Sequence, residues 1–242
     1  WSIVGDELKQ VRDAYAKTDE GKRRTLIEAV EDEPEFTAED FIIEEDNVVI
    51  VTRDGWVKRQ KEVKDLSTTR LREGDSVLTA QAGSTRAPIV FFSNFGTAYT
   101  CRIIDVPAST GYGEPIQKLF KLKDGEKIVS ALSLDPRVTT DIEPKKEGQE
   151  PRTQGLAVTS DGYSLRFGLS GFVEPSTRAG RKFARPAAGK EVIGVEVYHG
   201  DEIIIAATYQ GRAMLCKDKE VNFVYGPGKG VILIKIVKDD RV

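Results

Sequence analysis

Residues 48–58 read Val48-Val-Ile-Val-Thr-Arg-Asp-Gly55-Trp-Val-Lys58: four apolar β-branched residues, a polar turn closed by Gly, and a second short strand. An Asp-Gly pair supplies the positive φ of a tight hairpin, and Val and Ile suit a pleated surface. The pattern returns at Ile89-Val-Phe-Phe-Ser-Asn-Phe-Gly96-Thr-Ala-Tyr99, Gly155-Leu-Ala-Val-Thr-Ser-Asp-Gly162-Tyr-Ser-Leu165 and Ile204-Ile-Ala-Ala-Thr-Tyr-Gln-Gly211-Arg-Ala-Met214. The turn glycines are 41, 66 and 49 residues apart. The longest interval holds Asp135–Thr153, whose polar Glu143-Pro-Lys-Lys-Glu-Gly-Gln-Glu-Pro151 reads as a surface insertion. A second element recurs at Gly74-Asp-Ser-Val77, Gly125-Glu-Lys-Ile128, Gly189-Lys-Glu-Val192 and Gly228-Lys-Gly-Val231. A hairpin with further strands every 40 to 50 residues or so cannot bury both faces alone, so neighbours must stack. The expected fold is all-β and propeller-like, with at least four four-stranded blades in an open or closed ring. In-phase copies of two separate elements argue against a sandwich or a barrel.

The chain has 242 residues, 39% hydrophobic and 31% charged, which predicts a packed core and excludes wholesale disorder. No apolar run approaches the roughly 18 residues of a membrane helix. The N-terminus turns acidic at once, unlike a signal peptide. The chain does not begin with Met and is expected to be a piece of a longer protein. Two cysteines, Cys101 and Cys216, exclude a disulfide scaffold and a Cys-rich zinc site, and are expected as packed, reduced thiols of a cytoplasmic protein. A single histidine, His199, speaks against most His-based metal sites and against a Ser-His-Asp triad.

Net charge is −3, but residues 1–47 carry −9 and residues 48–242 carry +6. Leu8, Val11 and Tyr15 fall at helical spacing, with Asp6 and Glu7 near the start where the helix dipole favours them. Lys22–Val30 reads as a second short helix, and Glu31-Asp-Glu-Pro-Glu-Phe36 as an acidic linker. Residues 1–35 are thus expected as a helical lead-in with its linker, and 36–242 as the β domain.

These segments resemble the blades of the C-terminal β-pinwheel domain found in the A-type subunit of bacterial type IIA topoisomerases. Arg53-Asp-Gly-Trp-Val-Lys-Arg59 resembles the start of its first blade. Asn94-Phe-Gly-Thr-Ala-Tyr99 and Gly111-Tyr-Gly-Glu-Pro-Ile116 are similar to second-blade motifs of the topoisomerase IV branch. Thr177-Arg-Ala-Gly-Arg-Lys182 and Gly226-Pro-Gly-Lys-Gly-Val231 resemble later loops, and Trp1–Ile27 resembles the final helical part of the breakage-reunion region. The gyrase branch carries a Gln-Arg-Arg-Gly-Gly-Lys-Gly box in its first blade. The matching stretch here, Lys58–Gly74, is short and has no double glycine. That departure favours the topoisomerase IV branch over the gyrase branch and argues against tight chiral wrapping. The alternatives are a gyrase wrapping domain with a degenerate box and a propeller that binds protein.

The resemblance implies a non-catalytic module that binds and bends double-stranded DNA for ATP-dependent strand passage. The catalytic tyrosine would lie in the upstream breakage-reunion domain. ATP and Mg would belong to the separate ATPase partner, the B-type subunit of the parent heterotetramer, with no cofactor or metal in this stretch. The setting would be the bacterial cytoplasm and nucleoid. Lys and Arg gain on DNA by counterion release. Candidate phosphate contacts are Arg53, Lys58, Arg59, Lys61, Arg70 and Arg72 in the first repeat, and Arg102, Lys118, Lys121 and Lys123 in the second. Arg178, Arg181, Lys182 and Arg185 form the densest group, and Arg212, Lys217, Lys219 and Lys229 follow in the fourth. With no recognition helix in view, binding should depend on phosphates and bendability. Gly226-Pro-Gly-Lys-Gly-Val lacks the spacing and the Ser/Thr of a P-loop, and Gly111-Tyr-Gly completes no dinucleotide fingerprint.

Overall fold

The structure, a computed structural model, describes residues 1–19, 22, 42–237 and 240–242. The second short helix (from residue 23 onward) and the acidic linker lie outside the described residues. The chain divides into two units, Trp1–Thr37 and Ala38–Val242. In the first, α1 (Ser2–Tyr15) carries the helical spacing of Leu8, Val11 and Tyr15, all exposed.

In the second unit, β1 (Asp46–Thr52) and β2 (Trp56–Gln60) form the first hairpin, and β3 (Val77–Ser84) pairs with β1. β4 (Pro88–Ser93) and β5 (Thr97–Arg102) form the second hairpin. The chain then steps back: β6 (Glu114–Pro115) pairs with β2 in the first sheet before β7 (Ile128–Ser133) pairs with β4. The third repeat does the same. After β8 (Gln154–Thr159) and β9 (Tyr163–Gly168), β10 (Arg181–Lys182) returns to β5, and β11 (Val192–Tyr198) completes its own sheet on β8. After β12 (Ile203–Ala207) and β13 (Ala213–Lys217), β14 (Phe223–Val224) and β15 (Val231–Ile232) both return to β9. The sheets read β3-β1-β2-β6, β7-β4-β5-β10 and β11-β8-β9-β14, with β15 also on β9. Each of the three is completed by a strand from the following repeat, which makes the fold a β-pinwheel. The fourth repeat corrects the expectation of a four-stranded blade: among the described residues it is the two-stranded β12–β13, because no strand there takes the place that β7 and β11 hold in their sheets and none returns to β13 from a following repeat.

The exchange is fixed by backbone. The carbonyls of turn glycines Gly55, Gly96 and Gly162 accept from the amides of Ile116, Phe183 and Leu233 at 2.9, 3.0 and 2.8 Å. These anchors are 0%, 2% and 6% exposed, each in the core between recipient and donor sheets. Four residues after each turn glycine, a side chain grips the crossing segment. Arg59 Nε donates to the Val106 carbonyl, Thr100 Oγ1 to that of Phe172 and Arg166 Nε to that of Val221, at 2.8, 3.0 and 2.7 Å.

Gly113, Gly180 and Gly230 precede the returning strands, so Gly228-Lys-Gly-Val231 belongs with these sites rather than with the second repeated element. Hydrogen bonding places the fourth copy of that element at Asp240-Arg241. Arg53, Asn94, Ser160 and Tyr209 amides donate to the carbonyls of Ser76, Lys127, Glu191 and Arg241.

Alternation within a strand sends neighbours to opposite junctions. Ile89 and Phe91 pack with Val49, Val51 and Val57 of the first sheet, whereas Val90 and Phe92 pack with Ala157, Leu165 and Phe167 of the third. Cover on both faces explains the unbroken apolar runs of β1 and β4, whereas β12, equally apolar, is covered on one face and leaves Ile203 and Ile205 exposed. Phe183 of the returning segment meets Phe92 and Phe167 at ring distances of 4.9 and 5.2 Å, filling the second junction. Asp135 joins the first two sheets: its Oδ2 accepts from the Ser84 amide at 2.7 Å, and Arg137 grips both carboxylate oxygens.

Two outcomes test this architecture. Gly230 has φ +81°, and a Cβ there would lie 2.1 Å from the Ser164 carbonyl oxygen. Gly230→Ala should cost about 3 kcal/mol by urea unfolding. Arg137 holds the Asp135 carboxyl down to about 2, with the Ser84 amide pulling the same way against burial. A depressed folded-state pKa contributes stability that is full above the unfolded value and is lost as pH falls through about 2. Asp135→Asn should therefore lower the melting temperature at neutral pH, with a smaller difference near pH 2 (roughly the folded-state pKa).

Candidate nucleic-acid interface

The candidate cations separate by what already occupies them. Lys58, read as a surface contact, is 1% exposed: its Nζ donates to the carbonyls of Arg70 and Gly111, both at 2.7 Å, and burial lowers its pKa. An ammonium enclosed this way ties segments together and does not reach a phosphate. Arg59 is half-buried and serves as the grip on Val106, with a second bond to Asn47. These two depart from the sequence reading for one reason: a strand that crosses between sheets needs side-chain donors for its carbonyls.

Lys61 and Lys118 are exposed but paired, with Glu45 at 2.8 Å and Glu114 at 2.6 Å. Arg72 lies over the Trp56 ring at 4.6 Å and Lys229 over Tyr163 at 3.7 Å, so the aromatics after two turn glycines carry cations. Arg102 is half-buried; Arg53, Arg70, Lys121, Lys217 and Lys219 are exposed. Arg212 NH1 donates to the Lys235 carbonyl.

The 178–185 group is exposed and organised by backbone carbonyls. Arg178 donates to the Gln117 and Lys118 carbonyls, Arg181 to those of Gly171 and Pro175, and Lys182 to that of Phe95. The structure brings Lys182 and Arg185 together with Lys123 in a groove of about 630 Å³. Lys190, absent from the sequence-based candidates, lines it as well, and Glu191 is its one carboxylate. Burial lowers the Lys182 pKa; Lys123 and Arg185 push the same way, and Glu126 opposes. Two residues beyond anchors Ile116, Phe183 and Leu233 lie Lys118, Arg185 and Lys235, all exposed. Each of the three completed sheets thus presents one cation at the same point of its returning edge. Lys235 was legible only through that register, which the tertiary hydrogen bonds supply.

Cys101 and Cys216 are buried at equivalent places, and burial raises both thiol pKa values, which makes them packing groups. His199 Nδ1 lies 3.4 Å from Thr153 Oγ1. Among the described residues no three His, Cys, Asp or Glu side chains form a metal-holding group, and no helix is long and apolar enough to cross a membrane.

The family profile described as DNA gyrase C-terminal domain, beta-propeller, matches residues 87–135, 156–185 and 224–242. The DNA gyrase A protein of Haloquadratum walsbyi is 30% identical over 252 residues, covering 100% of this chain and 28% of that protein. Its counterpart in Salmonella typhimurium is 28% identical, covering 99% and 26%. The chain thus spans under a third of the length of these relatives. Among solved structures, the C-terminal domain of DNA topoisomerase IV superposes with a TM-score of 0.70 at 20% identity, covering 83% of this chain and 60% of that one. The DNA gyrase A C-terminal domain superposes at 0.56 with 23% identity, covering 81% and 63%.

Lys58→Met removes two buried hydrogen bonds and leaves the exposed cations in place. It should cost about 3 kcal/mol in urea unfolding and, below the transition, leave affinity for polyanions unchanged on a heparin column.

Proposed function

We propose that this chain, which belongs to the family of C-terminal β-propeller domains of gyrase A and its type IIA topoisomerase relatives, holds and bends duplex DNA beside the strand-passage machinery of a longer protein. The observation that carries this reading is the register of Lys118, Arg185 and Lys235, one exposed cation per sheet. A duplex carries about one charge per 1.7 Å, so cations repeated along an edge favour DNA that follows it. Bending costs energy set by the stiffness of the sequence, which makes deformability the basis of selection. The exposed 178–185 group, Arg53, Arg70, Arg72, Lys121, Lys123, Lys217, Lys219 and Lys229 would add phosphate contacts.

On this reading residues 1–35 are the helical lead-in from the breakage-reunion domain, and the stretch is itself non-catalytic. The catalytic tyrosine lies upstream, and the separate ATPase partner, the B-type subunit, hydrolyses ATP with Mg. The setting is the bacterial cytoplasm and nucleoid. The short Lys58–Gly74 segment, without a double glycine, supports holding over chiral wrapping. The match along the whole of this chain to proteins named as the A-type subunit of DNA gyrase supports wrapping as a second reading. A linking-number assay with a nicking-closing enzyme separates them: only wrapping leaves a linking-number change.

Binding of a labelled duplex should weaken steeply between roughly 50 and 200 mM salt, and the triple substitution Lys118→Glu, Arg185→Glu, Lys235→Glu should weaken it by more than about tenfold. Salt-insensitive binding, or none, would remove the DNA reading in favour of a protein-binding propeller.

A further inference from the structure

We propose that the groove where the second and third sheets meet is a dedicated seat for one backbone phosphate of duplex DNA, and that it anchors the bound arc. The inference rests on the DNA-holding reading and adds to it an unequal division of labour among the sheets.

The repeat itself provides the comparison. The element that follows each hairpin places Asp75, Glu126, Lys190 and Asp240 at one equivalent position, just before the carbonyl that accepts from the hairpin turn. In three repeats the residue is a carboxylate that accepts a backbone amide. Asp75 takes that of Asp54, Glu126 that of Lys123 and Asp240 that of Gln210, at 3.2, 2.8 and 3.0 Å. Lysine has no acceptor and gives up this turn-closing bond. Lys190 therefore has no counterpart role in the fold, and it lines the groove.

The returning strand shows the same departure. Lys182 corresponds to Pro115 in the first sheet and Ile232 in the third, each preceding an apolar anchor by one residue. Position 123 is Lys where the third and fourth repeats have Ala187 and Val237, with Arg72 in the first. Only around this junction do all three positions turn basic, and there they are joined by Arg185.

The four charges are not neutralised. Among the described residues none of Lys123, Lys182, Arg185 and Lys190 is in an ion pair, whereas Lys61, Lys118, Arg137, Arg152 and Arg166 are. Glu191 faces them, and Glu126 beneath is occupied by Ser93, Tyr99 and the Lys123 amide. Four cations against Glu191 on the wall and Glu126 beneath leave the groove net positive, and an anion relieves their repulsion. The Lys182 ammonium is already fixed on the Phe95 carbonyl, so the seat is preorganised, and Phe95 and Pro186 give it an apolar wall. A phosphodiester oxygen is the anion that the DNA reading supplies there.

The test measures binding of a linear duplex of about 40 base pairs to single charge variants across salt. Lys190→Glu restores the acidic character found in the other repeats, and Lys182→Gln is uncharged. Each should weaken binding by roughly tenfold and reduce the salt slope by about one. Lys118→Glu and Lys235→Glu, at the corresponding edges of the flanking sheets, should change affinity by no more than about threefold. All four substitutions are on exposed side chains, and unchanged melting temperatures show that the fold is kept. Equal effects across the four would overturn the anchor while leaving DNA holding intact. Absence of salt-dependent binding by the unsubstituted chain would overturn both together.

Discussion

A two-stranded hairpin leaves both outer edges with unpaired backbone groups and, when its strands are apolar throughout, two faces exposed to water. Neither condition is stable alone. The chain meets both by lending strands backward. β6, β10 and the pair β14 and β15 close the edge of the sheet before their own, and carry Ile116, Phe183 and Leu233 into the junction between donor and recipient. Edge pairing and face burial are thereby one event, because the residue after the returning strand is the one that fills the core. No sheet is complete without its successor, so the stabilising unit is the junction rather than the blade.

That dependence shapes what the charges can do. A segment crossing between sheets must satisfy its carbonyls, and the chain uses Arg59, Thr100, Arg166 and Lys58 for this. These side chains are unavailable to a ligand, although two of them sit among basic residues in the sequence. The edge cations Lys118, Arg185 and Lys235 stand two residues past the buried anchors, where the crossing segment has already turned outward. Strand exchange thus divides the basic residues into internal fasteners and an external edge, and brings equivalent edge positions into register.

The same register gives a scale against which single repeats can be judged. Where a position is acidic or apolar in most copies, that identity is the repeat's norm. Lys190 and Lys182 depart from it beside one groove, and the departure forgoes a turn-closing carboxylate in one case and an apolar strand residue in the other. Internal repetition supplies within one chain the control that a substitution experiment would otherwise have to make.

The sequence by itself determined the hairpins, since apolar runs around Asp-Gly-like turns are local chemistry; Gly55, Gly96, Gly162 and Gly211 all stand at positive φ. It also determined that the sheets must stack, because the apolar runs of β1 and β4 leave no polar face for water. Only the tertiary structure decided which strand completes which sheet. Two-residue strands such as Glu114–Pro115 and Arg181–Lys182 have no periodicity to read, and their pairing is set by carbonyls and cores far along the chain. The same long-range bonds decided that Lys58 is a fastener and that Lys190 joins Lys123, Lys182 and Arg185. A lysine's role depends on which acceptors lie within reach of its Nζ, and sequence distance does not encode that reach.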